Sequence, residues 1–590
     1  MPTNNSLACL TRTPLHALLS SALVLGPMCA QSALAAVVTN CANSGTGSLR
    51  SAIAATASGG TVTFSAALPA CTITLTTSSI PVSATNLTIK GPVSNSFTVS
   101  GGQNYRIFSH SGSGTLTIEH LALVDGKYKG SGLNAKGGCI LSNGSVSLSG
   151  SSVSGCIAYT DSATGKTRGG AIYAKGAVTV VNTTVSGNTA LAFQGVYGGA
   201  INALSLDAQY STFDSNYATF PTGKLPAEGS VFEGGAVHVS GTTSIIHSTL
   251  TNNKANGANN DHNDSVANGG CVFGTGAMYI GASTVAGCFA GSYNKTQGGG
   301  IFAAAALTLS HSIVTDNYGA GTNGSFGGGL RAGSLLANDS TIHGNLVSSG
   351  PYGFSGQFEG GGIFIYDGST QLTRSSLDGN DSVGAGGGLF TVHSNITVND
   401  STVSGNRAFG NGSDSTASGG IQMAGASATL HISNSTIAFN RGSGGTNAWL
   451  GGGLRAFGTA VIQSSIIARN TMGDTDASDV SCDCGTNAVK TISGANNLIM
   501  VMDPGAVAPP PGMVISTADP KLVPLGNHGG ETQTHALIAG SPALGVGNNL
   551  GNFTTDQRGA GFPRLNGGFV DIGAYERQPN DDEIFYSGVE

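Results

Sequence analysis

The chain has 590 residues, 93 of them glycine, with only 9% charged residues and a formal net charge of −7. Charge this sparse and negative excludes the basic stripe that nucleic-acid binding requires. The glycine content departs from an ordinary globular balance and points to a repetitive fold.

Residues 1–36 read as a secretory signal peptide. Arg12 and His16 precede an apolar run over 18–25 that is too short to span a bilayer, and Ala33-Leu34-Ala35 offers small residues for cleavage before Ala36. Cys29 follows Met28 rather than a small residue, so no lipid anchor is expected. Export permits disulfides, and loss of the leader keeps eight of the ten cysteines, an even number. No later segment is apolar for long enough to form a transmembrane helix, so no transmembrane segment is expected after cleavage.

Residues 37–136 read as an N-terminal cap and first coils. Gly47-Ser48-Leu49-Arg50 opens a short helical pattern that runs to Ala57 and stops at Gly59-Gly60. A helix there covers the strand edges and core that the end of a solenoid would expose. Cys41 and Cys71 flank it, and a disulfide between them would pin the cap.

Residues 137–500 read as the solenoid itself. A Gly-Gly pair followed in most copies by a small residue and an aliphatic one recurs eleven times, from GGCI at Gly137 to GGGL at Gly451. A second signature, of the type STVSGN, follows about sixteen to twenty residues later and ends at Asn188, Asn253, Asn317, Asn345, Asn406 and Asn440. A period near thirty residues means stacked units, none of which buries its apolar face alone. Inside each copy an aliphatic position (Ile172, Ile301, Leu330, Ile363) alternates with a freely varying one, the period-two pattern of a strand with one column in and one out. The terminal asparagines can stack as an amide ladder.

The cysteines test that register. Cys139 and Cys156 stand at the small position and the terminal-asparagine position of one unit, and Cys271 and Cys288 stand at the same two positions of another. Ala171 and Asn188 occupy them in the GGAI unit that starts at Gly169. The spacing makes each cysteine pair a disulfide candidate, the alternative being free buried thiols. The segments 217–233, 254–268 and 346–359 read as long corner loops on one side. Asp474, Asp476, Asp479 and Asp483 crowd one segment in a way that suits calcium, but match no metal motif, so no metal or cofactor is expected. Cys482 and Cys484 are too close to pair with each other without strain, and their role stays open.

The period ends at a Pro-rich stretch, 501–518, which reads as a linker to a non-repeat C-terminal domain. The GSLRSAI opening, the repeats, and the ordered run DPKL, NHGGETQTHAL, GSPAL, TDQRG and VDIGAYE over 519–576 resemble bacterial choice-of-anchor Q domain-containing proteins. The repeats are also similar to those of polymorphic outer-membrane proteins, with serine or threonine mostly replacing the phenylalanine. The resemblance implies an all-β, right-handed parallel β-helix and an extracellular or outer-surface location, and it implies no activity. The acidic, aromatic tail over 577–590 is similar to short C-terminal ends of some secreted proteobacterial proteins.

Two functions are open. A lyase needs a base beside a uronate carboxylate and a cation, and a glycoside hydrolase needs two carboxyls about 5 to 9.5 Å apart. With coils about 4.8 Å apart, Glu233 and Glu359, four units apart, lie about 19 Å from each other, and the histidines scatter over different columns. The outward column formed by Tyr173, His238, Phe273, Phe302, Arg331, Phe364, Phe390 and Arg455 is the candidate glycan-binding face, unless the corner loops cover its rings as a second core. The first expectation is therefore an adhesin or glycan/partner-binding scaffold without catalysis, meeting an extracellular polysaccharide or a cell-surface partner. The alternative is a polysaccharide lyase or glycoside hydrolase with its site on this face and the corner loops.

Overall fold

The computed structural model describes residues 36–93, 97–130, 132, 134–258, 264–350, 356–410, 417–425, 427–443, 451–482, 491–502, 509–579 and 581. Nearly the whole leader (1–35) and most of the tail (582–590) lie outside the described residues, as do Asp483 and Cys484. The chain is an all-β, right-handed parallel β-helix with a short N-terminal helix and an added C-terminal region. Among the described residues no helix is long and apolar enough to cross a membrane.

Strand Ala36–Val38 pairs in parallel with Gly60–Phe64, and helix α1, Leu49–Ala55, lies between them in sequence. Ser48 caps α1 by accepting a hydrogen bond from the Ser51 N–H, and Leu49, Ala52 and Ile53 turn into the core. Cys41 and Cys71 are joined by a disulfide with Cα atoms 6.4 Å apart.

One coil contains five short strands: Ile172–Ala174, Ala177–Val181, Thr184–Ser186, Thr189–Leu191 and Gly195–Tyr197. Each stacks in parallel on its equivalent in the next coil. Ile172, Ile201, Val237, Val272, Ile301, Leu330, Ile363 and Leu389 form one unbroken register column, fully buried throughout. The first three strands enclose the main core. The fourth and fifth strands close a second, thinner lobe around Ala190, Val196, Ala218, Phe232 and Ala255. Segments 217–233, 254–268 and 346–359, expected to be corner loops, each contribute a fourth and a fifth strand to this sheet pair. Alternating small residues hid that role, because a lobe this thin admits little more than alanine and glycine at most of its inward positions.

The two lobes meet at a waist, and the asparagine ladder fills it. Asn188 is fully buried; its Nδ2 donates to the Val153 carbonyl and to Asn216 Oδ1, both at 3.0 Å, while its backbone N–H also reaches Asn216 Oδ1. The same three bonds repeat from Asn216 to Asn253 and, after a break at Cys288, whose N–H reaches Asn317 Oδ1, from Asn317 through Asn345, Asn380, Asn406 and Asn440 to Asn470. Asp479 ends the ladder. Its Oδ1 accepts from both Asn470 donors and its Oδ2 from the Val501 N–H, and burial raises its pKa.

The strand opposite must come close. A Cβ at Gly300 would sit 2.8 Å from Asn317 Cγ, whereas Ala171, Ala200 and Ala236 stand at the same position in units that also hold a ladder asparagine. Where the amide is missing, disulfides Cys139–Cys156 and Cys271–Cys288 bind the two sides covalently, with Cα atoms 5.6 and 5.5 Å apart.

The C-terminal region does not trail away from the solenoid. Within the stretch expected to be a linker, Val514–Ser516 adds another strand beside Asn497–Ile499. The chain then runs back over the outer side of the third strands as a clasp. It follows the corner that precedes those strands, where one residue per coil takes a left-handed φ of 44 to 56°: His311, Arg374, Asp400, Asn434, Ser464 and Asn496. Glu531 meets His311, Thr532 donates to the Arg374 carbonyl, Arg564 pairs with Asp400, Asn548 bonds both Asn434 and Ser464, and Asn496 donates to the Val546 carbonyl. Ile466, Ala468 and Leu498 pack beneath Leu537, Ile572 and Tyr575.

The TDQRG and VDIGAYE motifs build this clasp. Arg558 and Asp556 form a buried pair at 2.8 Å, and the Arg558 guanidinium lies between the rings of Phe562 and Tyr575. Arg564 is fully buried and donates to the Gly573 and Ala574 carbonyls as well as to Asp400. Burial raises Asp400 to about 6 and Glu576 to about 8, and lowers His535 to about 4.

Two outcomes are expected. Asn380→Ala removes the acceptor of two Asn345 donors at once, so it should lower stability by about 3 kcal/mol, read from the denaturation midpoint; a loss below about 1 kcal/mol would mean the ladder is dispensable. For Glu576, the folded chain keeps a proton over a range, from 4.5 to about 8, in which the unfolded chain has released it. Stability therefore falls as pH rises through that range, and His311 and His343, raised by Glu531 and Asp378, act in the same sense just above 6.5. Glu576→Gln should flatten the loss of melting temperature between pH 7 and 8, a slope worth at most about 1 kcal/mol per pH unit.

Candidate functional site

Two outward columns flank the Gly-Gly bend and face each other across a groove. One is the first-strand column, in which Tyr173, Asn202, His238, Phe273, Phe302, Arg331, Phe364, Phe390, Gln422 and Arg455 follow in register. The other is the residue just before each Gly-Gly, at the end of the fifth strand: Arg168, Tyr197, Glu233, Asn268, Gln297, Phe326 and Glu359.

The first column lies on the groove floor rather than on an open face. Phe273, Phe302, Phe364, Phe390 and Arg455 are only 4 to 8% exposed, while Tyr173, His238 and Arg331 are half-buried. The rings turn their faces to one another. His238 stacks on Phe273 at 4.8 Å, Phe273 on Phe302 at 4.9 Å, and Phe364 on Phe390 at 6.0 Å. Phe364 and Phe390 also pack with Ala385, Ala408 and Ala417 as a small core. Flat faces for sugar stacking are thus largely occupied, and recognition falls to the polar groups at the edges. The Arg455 guanidinium covers the Phe457 ring at 4.4 Å.

Arg331 is the exception in this column. Its guanidinium lies between the rings of Phe302 and Phe364, at 5.1 and 5.8 Å, and among the described residues no carboxylate comes within ion-pair distance of it. Burial lowers its pKa from the usual arginine value. It opens into a cleft of about 430 Å³ whose polar lining is Lys295, Gln297, Gln357, Glu359 and Tyr366, with Phe326, Phe364 and Val392 as the apolar part.

Nearer the N-terminus the groove holds a polar cluster around His238. The imidazole Nε2 lies 3.2 Å from Glu233 Oε2, Nδ1 lies 2.9 Å from Asn202 Nδ2, and the Tyr197 ring meets the imidazole edge-on at 5.3 Å. The Arg168 guanidinium lies 5.1 Å from the centre of the Tyr197 ring.

A second concavity, about 680 Å³, lies between the clasp and the third strands. Ser404 Oγ is 2.8 Å from His535 Nε2, and His535 Nδ1 donates to the Val523 carbonyl. This resembles a nucleophile and its base, but both side chains are only 2% exposed, and the depressed pKa makes His535 a weak proton acceptor. The nearby Gly379 and Gly405 N–H groups are already bonded to strand carbonyls, so neither is free to hold an oxyanion. The pair is a seam of the clasp.

The acidic segment separates into individual roles: Asp474 pairs with Arg441, Asp476 sits in a short antiparallel pair, and Asp479 caps the ladder. Among the described residues no group of three or more potential ligands could hold a metal ion.

Sequence reasoning placed the first column and missed the second. The missing signal was present, since the residue before Gly-Gly is large or polar in nearly every copy, as variable as its partner column. Asn202 belongs to the same outward column by its spacing, but only the tertiary structure brings its amide onto His238.

No family model matches the chain, and no curated protein matches it. A crystal structure of the pectate lyase Pel9A matches over 93% of this chain and 98% of that one, with 13% identity and a TM-score of 0.25. At that score the match carries no weight for the chemistry of this groove.

The geometry separates two kinds of floor residue. Phe302→Ala should cost about 3 kcal/mol, as for other buried rings. Arg331→Met keeps the length of the side chain while removing a desolvated, unpaired charge, so it should leave the melting temperature unchanged or raise it. A loss above about 2 kcal/mol for Arg331→Met would show that the guanidinium holds the groove together.

Proposed function

We propose that the protein is an exported β-helix that binds an extended, carboxylate-bearing glycan along the groove, as a surface adhesin or a polysaccharide-binding scaffold would. One observation carries this reading: Arg331 is held between two rings, partly desolvated and with no carboxylate among the described residues within ion-pair distance, at the floor of an open cleft. An isolated cation in such a place is costly unless a ligand anion completes it. Lys295 adds a second positive charge, and Gln297, Gln357 and Tyr366 offer hydrogen bonds to hydroxyls. The N-terminal apolar run and the disulfides support export.

Cleavage of the bound chain is a second reading, favoured by the His238 cluster. That cluster lies on the same groove, three coil steps or about 14 Å from Arg331. Hydrolysis by a carboxyl pair has no support here, because Glu233 and Glu359 are four steps apart.

Retention of the purified protein on polygalacturonate and alginate, compared with a neutral glucan, tests the proposal. Binding to the acidic polymers alone is expected, weakened by salt and lowered about tenfold or more by Arg331→Ala. Equal retention on the neutral glucan, or no effect of Arg331→Ala, would overturn it.

A further inference from the structure

We infer that His238 is the base of a β-elimination on a uronate-containing glycan lying in this groove, with Asn202 holding the carboxylate and Tyr197 protonating the leaving oxygen. The inference rests on the glycan-binding reading above and assigns it a chemistry.

Hydrogen bonding decides which imidazole nitrogen is basic. An amide nitrogen only donates, so Asn202 Nδ2 at 2.9 Å makes Nδ1 the acceptor, and Nε2 carries the proton, facing Glu233 Oε2 at 3.2 Å. The Glu233 carboxylate beside Nε2 favours the tautomer protonated there, which leaves Nδ1 with its lone pair. Glu233 is itself held by Asn268, whose Nδ2 lies 3.3 Å from Oε1. Phe273 lies parallel to the imidazole and Tyr197 meets it edge-on, so the ring is fixed on two further sides. The His238 and Glu233 side chains are each only 14% exposed.

Asn202 Nδ2 is the group that occupies Nδ1 in the unliganded chain. An arriving carboxylate offers that amide a stronger, charge-assisted bond. Its transfer to the uronate frees Nδ1 beside the carbon next to the carboxylate, where the hydrogen is acidic. The Tyr197 phenol is kept protonated, since burial and then the Glu233 charge raise its pKa, and it can act as a proton donor. Arg168, over the Tyr197 ring, adds positive charge where the carboxylate becomes more electron-rich.

The step balances without a co-reactant. His238 Nδ1 takes the proton on the carbon next to the carboxylate, and the electron pair of that C–H bond becomes the new C=C bond. The C–O bond to the neighbouring sugar breaks, and the departing oxygen takes the proton of the Tyr197 hydroxyl. His238 then returns its proton to the Tyr197 oxygen. The products are a shortened chain and a sugar with a double bond conjugated to its carboxylate.

Polygalacturonate and alginate serve as probes of the full-length protein, with ultraviolet absorbance of the conjugated double bond followed alongside equilibrium binding. Absorbance should rise with at least one polymer. His238→Asn and Tyr197→Phe should each lower the rate by about a hundredfold or more, while binding stays within about twofold and the melting temperature is kept. Glu233 is a positioning residue, and Glu233→Gln should lower kcat with little change in KM or in the melting temperature. If the protein binds the polymers but forms no unsaturated product, or if His238→Asn cleaves as fast as the parent, the inference falls and the binding reading stands. If neither polymer is bound, the binding reading falls and takes the inference with it.

Discussion

The structure depends on a buried row of side-chain amides at the waist of most coils from Asn188 onward. An asparagine there must both donate to the coil before it and accept from the backbone and side chain of its neighbour, so each copy is satisfied only when another stands directly above it. Left unpaired in a dry interior, those groups would cost a kcal/mol or more apiece. The ladder therefore enforces one register along the solenoid, and every other column follows from it. The position opposite is always small, glycine or alanine, where an amide fills the waist, and the two cysteine pairs replace the contact with a covalent one at the same place. Asp479 can end the row because it only accepts, and its second oxygen finds the Val501 N–H.

Once the waist is set, the outward positions can vary from coil to coil, and the groove is built from that variation. The Gly-Gly bend brings the first-strand column and the end of the fifth strand face to face, so residues about thirty apart in sequence become neighbours along a continuous channel. Its floor is largely a stack of rings that satisfy one another. Against that background, Arg331 is unusual, since no carboxylate among the described residues comes within ion-pair distance of it, and so is the His238 cluster, where a carboxylate, an imidazole and an amide from neighbouring coils meet.

The clasp is held in a different way. Where the solenoid relies on aliphatic columns and neutral hydrogen bonds, the C-terminal region docks through buried ions, above all Arg564 with Asp400 and Arg558 with Asp556. Buried ion pairs contribute less to net stability than their contact distances suggest, because both charges leave water, yet a mismatched pair is strongly penalised. Such pairs suit a segment that must find one position on a surface whose coils look alike. The raised carboxyl groups Asp400 and Glu576 record that desolvation.

The sequence by itself determined the winding. Gly-Gly pairs, a period near thirty, the aliphatic column through Ile301, Leu330 and Ile363, and the matched positions of Cys139 with Cys156 and Cys271 with Cys288 are all local patterns, and local patterns repeat only if coils stack. It also picked out His238 and Arg331 as members of an outward column. The tertiary structure alone decided what those residues face. That the stretches after Asn216, Asn253 and Asn345 form a second lobe, that Glu233 and Asn202 close on His238 from two different strands, and that the TDQRG and VDIGAYE motifs clamp the third-strand corners instead of forming a separate site all depend on how one column is angled to another. A bend made of glycines leaves no trace of its angle in the order of residues, because side-chain pattern encodes which way a strand faces and not what lies opposite.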